Sequence, residues 1–324
     1  MSRSDTTETI IEFERLSETL EGRRHRTFLR ARSRRRVDGK VVLITGGARG
    51  IGSETAKALT AKGARVVVTD VDAAALSEVV AEIGADKAVG VVADVCDLAA
   101  MEAAVARGVE KFGGIDLVLA NAGIASYGSV LGVDPATFKR VLDVNLLGVF
   151  HTVRAALPSV IERNGYILVV SSLAAFAPAP GLAAYNASKA GAEHFANALR
   201  LEVAHQGVDV GSAHMSWIDT PLVREAKADF SAFRQMLNSM PGPLSKTTSV
   251  DACVKAFIQG LERRQRHVFV PGWVGIIAQL RTLVNSRIGT HDTLAQASQL
   301  VPRMDAEIAR LGRSTSARNV GAAS

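Results

Sequence analysis

Tyr185 and Lys189, four residues apart, and two hydroxyls upstream, Ser171 and Ser172, are the groups in this chain best suited to moving a proton. Helical i,i+4 spacing sets the phenol and the ammonium on one face. An ammonium there favours phenolate, so the Tyr185 pKa is expected to fall from roughly 10 toward working pH, which suits a general acid or base. The two hydroxyls close the run Tyr166 to Val170, whose β-branched, apolar composition reads as a buried parallel strand. A loop with Pro178, Pro180 and Gly181 follows, and then a helix from Ala184 to His205. A surface helix also shows a Tyr and a Lys at this spacing, so the surrounding elements must decide.

Upstream, Val41 to Ile44 is a short apolar strand that runs into Thr45, Gly46, Gly47, Ala48, Arg49, Gly50, Ile51 and Gly52, and a helix extends from Gly50 to Lys62. Strand, glycine turn and helix in that order bring backbone N–H groups against a pyrophosphate at a helix N-terminus. The next strand, Arg65 to Thr69, closes on Asp70. A carboxylate there accepts from both ribose hydroxyls of NAD and repels the extra phosphate of NADP, whereas Arg49 in the glycine loop would attract that phosphate. The carboxylate penalises NADP directly and an arginine can turn to solvent. NAD is therefore the expected cofactor, with NADP the alternative.

Strands and helices keep alternating: helix 73–83, strand 88–93 ending at Asp94 and Val95, helix 98–112, and strand 116–120 ending at Asn121, Ala122 and Gly123. Asp134 and Pro135 then start a helix that carries Asn145 among apolar neighbours, where its amide needs a partner. This rhythm predicts an α/β doubly wound parallel sheet, a Rossmann fold. Strands at 208–214 and 267–270 and a helix at 249–261 complete it. Residues 217–244, with Phe230, Phe233, Met236, Leu237 and Met240, read either as a lid over an apolar ligand or as a surface helix pair packed on the core.

A chain of 324 residues that is 48% hydrophobic suits one large domain, placed at residues 37–270 between a basic extension, 1–36, and a C-terminal extension, 271–324. Net charge is +6, and the stretch Gly22 to Arg36 holds eight arginines and no acid. Such a run attracts anionic surfaces, but it has no aromatic interleaving and no nucleic-acid motif, so a solvated arm is expected and a nucleic-acid partner is not. Cys96 and Cys253 are far apart and lack metal-ligand spacing, so no disulfide framework or metal site is expected and the setting is read as reducing and cytoplasmic. Neither a membrane-spanning apolar run nor a signal peptide is read. Ile276, Ile277, Leu280, Leu283, Val284 and Ile288 form one apolar helical stripe. It suits packing on the body or on a second subunit of a homo-oligomer; a membrane-surface helix with Arg281 and Arg287 at the headgroups is the other reading.

From Val37 to Val270 the chain resembles the short-chain dehydrogenase/reductase family. The resemblance rests on four motifs in order: Thr45-Gly46 with Gly50-Ile51-Gly52, Asn121-Ala122-Gly123, Asn145, and Ser172 ahead of Tyr185 and Lys189. It implies hydride transfer between a nicotinamide cofactor and a secondary alcohol or ketone. Tyr185 would exchange the proton, Ser172 polarise the substrate oxygen, Lys189 hold the ribose and depress the Tyr185 pKa, and Asn145 fix a water in a proton path. Asp94 and Val95 would contact adenine, and Ile218 and Thr220 the carboxamide. Where the family usually has Pro-Gly, this chain has Met215-Ser216, which puts the loop beside the nicotinamide in doubt. Phe176, Met215, Trp217 and the lid segment point to an apolar substrate. A cofactor-sensing or scaffold protein that binds through the arginine arm is the alternative, against which the full Ser172, Tyr185, Lys189 and Asn145 set argues.

Overall fold

The computed structural model describes residues 37–316, so the arginine run from Gly22 to Arg36 lies outside the described residues. Seven strands form one parallel sheet in the order β3-β2-β1-β4-β5-β6-β7: β1 Val41–Thr45, β2 Arg65–Asp70, β3 Ala88–Val92, β4 Leu117–Ala120, β5 Tyr166–Val170, β6 Asp209–Met215 and β7 His267–Val270. Their apolar runs are buried because helices cover both faces. Ile44, Val66, Val68, Leu168 and Val268 pack on one side, under α1 (Gly50–Thr60) and α9 (Val250–Arg263). Leu43, Val67, Val118, Ile167 and Val169 pack on the other, under α3 (Leu98–Phe112), α5 (Gly148–Glu162) and α6 (Ala183–Val203). Helix α2 (Ala73–Ile83) completes the first half and is capped by Asp72, which accepts from the Ala75 amide.

The strand order reverses between β1 and β4, and a crevice opens beyond the carboxyl ends of those two strands. Asn121 closes the base of the crevice: its Nδ2 donates to the Thr45 and Gly46 carbonyls, both at 3.0 Å. Asp134 caps α4 (Pro135–Leu142) through the Thr137 amide, as expected. The helix does not then run on regularly to Asn145. Residues Asp143–Leu147 form a π-helical turn before α5, a distortion that often marks a functional position. The whole run, Pro135–Glu162, is long and apolar enough to cross a membrane by length and composition. Its Val149, Val153, Ala156 and Val160 pack against the sheet, which makes it a core helix.

The lid segment folds as two helices, α7 (Pro221–Asp229) and α8 (Ser231–Ser239). The expected single stripe at 275–288 is corrected to two short helices, α10 (Val274–Gln279) and α11 (Arg281–Val284). The backbone leaves helical geometry at Leu280 (φ −93°, ψ 12°). Beyond α11, the Asn285 amide donates to the Phe176 carbonyl at 3.0 Å, tying this stretch to the body. Ile277 consequently packs inward, while Ile276, Leu280, Leu283 and Ile288 stay exposed. A long helix, α12 (His291–Leu311), follows, which the sequence reading did not anticipate. Pro302 interrupts its pattern, but Leu300, Met304, Ile308 and Leu311 share the inward face.

Candidate active site

Ser171 and Ser172 follow β5 directly and separate by function of direction. Ser171 is fully buried and its hydroxyl donates to the Lys189 carbonyl at 2.8 Å, so it braces α6. The Ser172 hydroxyl accepts from the Ala174 amide at 3.1 Å and donates to the Met215 carbonyl at 3.4 Å, close enough to the Tyr185 phenol to oppose the rise in its pKa. Lys189 is buried; its Nζ donates to the Val170 carbonyl at 2.9 Å and lies 5.7 Å from the centre of the Tyr185 ring. The structure thus brings Ser172, Tyr185 and Lys189 together at the end of β5.

The expected direction of the Tyr185 shift is not what the protein shows on its own. Burial pushes the phenol above its ordinary value, and the Ser172 hydrogen bond only partly opposes this. The ammonium is aimed at a backbone carbonyl, and burial pushes Lys189 itself down to about 8. His214, unremarked in the sequence, is buried behind this group with its Nδ1 3.3 Å from the Ser172 carbonyl. Burial drives it down to about 4, so it is neutral at neutral pH.

Asn145 finds the partner its burial requires. Its Oδ1 accepts from the Ile124 amide at 2.8 Å, and its Nδ2 donates to the Ile124 carbonyl and the Ser188 hydroxyl, both at 2.9 Å. It therefore clamps the peptide just past Asn121-Ala122-Gly123 to α6. Gly123 leaves room there, since an added Cβ would stand 3.3 Å from both Asn145 Oδ1 and Lys189 Nζ.

A cavity of about 630 Å³ runs along the crevice. Its wall includes Gly46, Arg49, Gly50, Ile51, Asp70, Asp94, Val95, Asn121, Ala122, Gly123, Tyr185, Lys189, Met215 and Thr220. Two predicted cofactor residues are not in that wall. Gly52 packs inward, where a Cβ would stand 2.2 Å from the Gly46 carbonyl oxygen, and Ile218 is buried and bridges to Thr248. Phe176 is also absent from it, being buried against His214, so it does not supply the apolar lining expected of it. Gly46 (φ 61°) and Gly50 (φ 57°) hold the left-handed backbone that the turn needs, and they leave a backbone-lined cradle at the start of α1. That cradle, ending at a carboxylate, fits a dinucleotide.

Asp70 accepts from the Ala48 amide at 3.0 Å and the Asp72 amide at 3.1 Å, which fixes its carboxylate in the wall. Arg49 is held by Asp72 at 2.6 Å, and that bond raises its pKa. Asp94 is tied to the Cys96 amide at 2.9 Å and to Arg140 at 2.8 Å. Burial alone would raise its pKa, but these two donors hold it below the usual carboxylate range. Arg140, Leu222, Glu225 and Ser316 also line the cavity and were not found in the sequence. Arg140 sits in a helix with no motif around it, and Ser316 is remote from every other site residue. Among the described residues no group of His, Cys, Asp or Glu is placed to hold a metal ion.

The model of the short chain dehydrogenase family matches residues 40–230. The chain belongs to the short chain dehydrogenase family. An uncharacterized oxidoreductase of Mycobacterium tuberculosis is 34% identical over 247 residues, covering 67% of this chain and 88% of that protein. The trans-4-hydroxycyclohexanecarboxylate dehydrogenase of Sinomonas cyclohexanicum is 36% identical over 203 residues, 60% of this chain and 78% of its own. The (-)-trans-carveol dehydrogenase of Rhodococcus erythropolis is 32% identical, covering 66% and 89%. Among solved structures, a 3-ketoacyl-(acyl-carrier-protein) reductase from Brucella melitensis complexed with NADH superposes with a TM-score of 0.65 at 31% identity, over 72% of this chain and 97% of that one. This short chain dehydrogenase is a nicotinamide-dependent oxidoreductase of alcohols and ketones.

Proposed function

We propose that the protein interconverts a ring-bearing, apolar secondary alcohol and its ketone with NAD as the preferred cofactor. The observation that carries the cofactor choice is the fixed Asp70 carboxylate in the cavity wall, with Arg49 engaged by Asp72 instead of standing ready for a 2′-phosphate. The apolar substrate is supported by the cluster against which Tyr185 and Trp217 pack, made of Tyr127, Leu182, Phe230, Phe233 and Met304. Two relatives named for cyclic alcohols, the trans-4-hydroxycyclohexanecarboxylate and carveol dehydrogenases, support a ring.

In the oxidation direction, Tyr185 takes the hydroxyl proton while the Ser172 hydroxyl donates to the same oxygen and holds it in place. A bound nicotinamide supplies the hydride acceptor, and the alcohol carbon becomes the ketone carbon. Tyr185 must stand as phenolate to take that proton and becomes phenol; Lys189, protonated below about 8 and 5.7 Å from the ring centre, holds positive charge that favours the phenolate beforehand. Asn145 fixes the loop that borders both, and we assign it the holding of a water between Lys189 and solvent. Gly46, Gly50 and Ile51 hold the pyrophosphate, Asp70 the adenine ribose, Asp94 and Val95 the adenine, and Thr220 the carboxamide.

Turnover of cyclic and acyclic secondary alcohols with NAD and with NADP tests the reading. kcat/KM is expected to favour NAD, and Asp70→Ala to shift the ratio toward NADP by about tenfold or more. A wild type that prefers NADP would overturn the cofactor assignment. The exposed Ile276, Leu280, Leu283 and Ile288, flanked by Arg281 and Arg287, favour a further role in contacting an anionic membrane surface. Salt-sensitive sedimentation with anionic liposomes is the expected result, and failure to pellet at low salt would remove that role.

A further inference from the structure

Helix α12 lies beyond the residues that the family model matches, yet the body is shaped to receive it. Leu300 and Met304 are buried in the same apolar cluster as Tyr127, Phe230 and Phe233. Two glycines make room for it. A Cβ on Gly132 would stand 2.4 Å from Asp305 Oδ1, and one on Gly181 would stand 2.4 Å from Met304 Sδ. Polar contacts lock the position. Asp305 accepts from the Ser129 amide at 2.9 Å, and Glu307 accepts from the Ser231 amide at 2.9 Å and the Ala232 amide at 3.2 Å, so it caps α8 from outside.

The chain then turns back. Gly312 ends the helix with φ 66°, and Ser314, Thr315 and Ser316 follow at 4%, 7% and 2% exposure. The Ser314 carbonyl accepts from the Tyr127 amide at 2.7 Å, in the loop after β4. Arg313 reaches Asp229 at 2.9 Å, at the end of α7. This strap therefore bridges the loop after β4 and the end of α7, and Ser316 stands in the wall of the cavity that holds Tyr185. Three consecutive buried hydroxyl residues gain little from apolar burial, and the Ser314 hydroxyl has no partner within the described residues. The strap is thus placed by its contacts with the site and not by an apolar face of its own.

Resting on the alcohol dehydrogenase reading above, we propose that the strap Arg313–Ser316, held in place by α12, is the specificity-determining wall of the substrate site. It roofs the reacting end between Tyr127 and α7, and the Ser316 side chain sets how large a ring fits beside Tyr185. The substrate class it selects is a compact alicyclic secondary alcohol or ketone.

The test compares KM for propan-2-ol and cyclohexanol, with the Kd of NADH by titration, in the wild type, Ser316→Phe and Ser316→Gly. Ser316→Phe is expected to raise the cyclohexanol KM at least tenfold, with the propan-2-ol KM and the NADH Kd each changed less than about threefold. Ser316→Gly, which adds no bulk and keeps the strap intact, is expected to lower the KM for a bicyclic alcohol relative to cyclohexanol. A residue that only supports the fold would change both alcohols alike, and that result, or no change at either, overturns the proposal. A parallel loss of NADH affinity also overturns it, because Ser316 would then border the cofactor. If the wild type turns over none of these alcohols, the reading beneath the proposal falls with it, whereas activity without size discrimination removes the strap's role alone.

Discussion

The two halves of the crevice are held by different kinds of atoms. Beyond β1 and β4 the wall rests on main chain: Gly46 and Gly50 line it in left-handed conformations, Gly52 backs it from inside against the Gly46 carbonyl, and Asn121 donates to the Thr45 and Gly46 carbonyls. Beyond β5 and β6 the walls are side chains that converge from distant segments: Ser171 after a strand, with Ser172 next to it outside the wall, Tyr185 and Lys189 from α6, and Ser316 from beyond α12. A wall of backbone is vulnerable to added atoms, because close approach leaves no space for a Cβ. A wall of side chains is vulnerable to removed atoms, because each carries a separate task.

Removing one oxygen from the second half gives the largest expected effect. Tyr185→Phe should lower kcat on the order of 10³-fold while the NADH Kd stays within about threefold, as steady-state kinetics and fluorescence titration would show. Comparable losses in both would mean that the halves are not separable in this way.

Lys189→Met should lower kcat by less than Tyr185→Phe does, yet stabilise the fold. The lysine's pKa falls from the ordinary 10.5 to about 8, a difference worth about 3 kcal/mol against the charged form. The penalty is complete below about 8 and is relieved as pH rises from 8 to 10.5, where the unfolded chain also loses its proton. Wild-type stability should therefore rise across that window, and denaturant titrations of the variant should be flat there. A variant less stable at pH 7 would show that the bond to the Val170 carbonyl outweighs the buried charge.

Adding atoms to the first half sharpens the contrast from the other side. Gly52→Val should cost about 1–3 kcal/mol of stability and weaken NADH binding at least tenfold, because its Cβ would meet the Gly46 carbonyl oxygen at 2.2 Å and Asn121 Nδ2 at 2.9 Å. Unchanged affinity would show that the loop yields. The smallest effect is expected at Glu307→Gln, which weakens the outside cap of α8 by about 1 kcal/mol and leaves the NADH Kd alone. Thermal melting checks the first and titration the second.

The same contrast explains what the sequence made legible. Backbone constraints are local: the glycine turn, Asp70 at a strand end and the Asp134 cap each declare themselves within a few residues, and the strand and helix rhythm through residue 270 follows from them. Tyr185 and Lys189 were legible because one helix turn joins them. Features that depend on long-range packing were hidden. The π-helical turn at Asn145 arises within a run of ordinary helix formers, the 275–288 stripe breaks at Leu280 with its far end tied to the body by Asn285, and Phe176 turns toward His214 and away from the cavity. The rise of the Tyr185 pKa had no sequence signal either, because burial depends on α8 and α12 closing over that side.

The central claim is that hydride moves between a secondary carbon and a nicotinamide held in this crevice, with Tyr185 handling the proton. Cyclohexanol carrying deuterium on its carbinol carbon, incubated with the protein and NAD, tests this most directly when the NADH formed is analysed by mass spectrometry. One deuterium in each NADH from the wild type, and labelled NADH formed on the order of 10³-fold more slowly by Tyr185→Phe, is the predicted result. Unlabelled NADH, or equal labelled NADH from the variant, would contradict it.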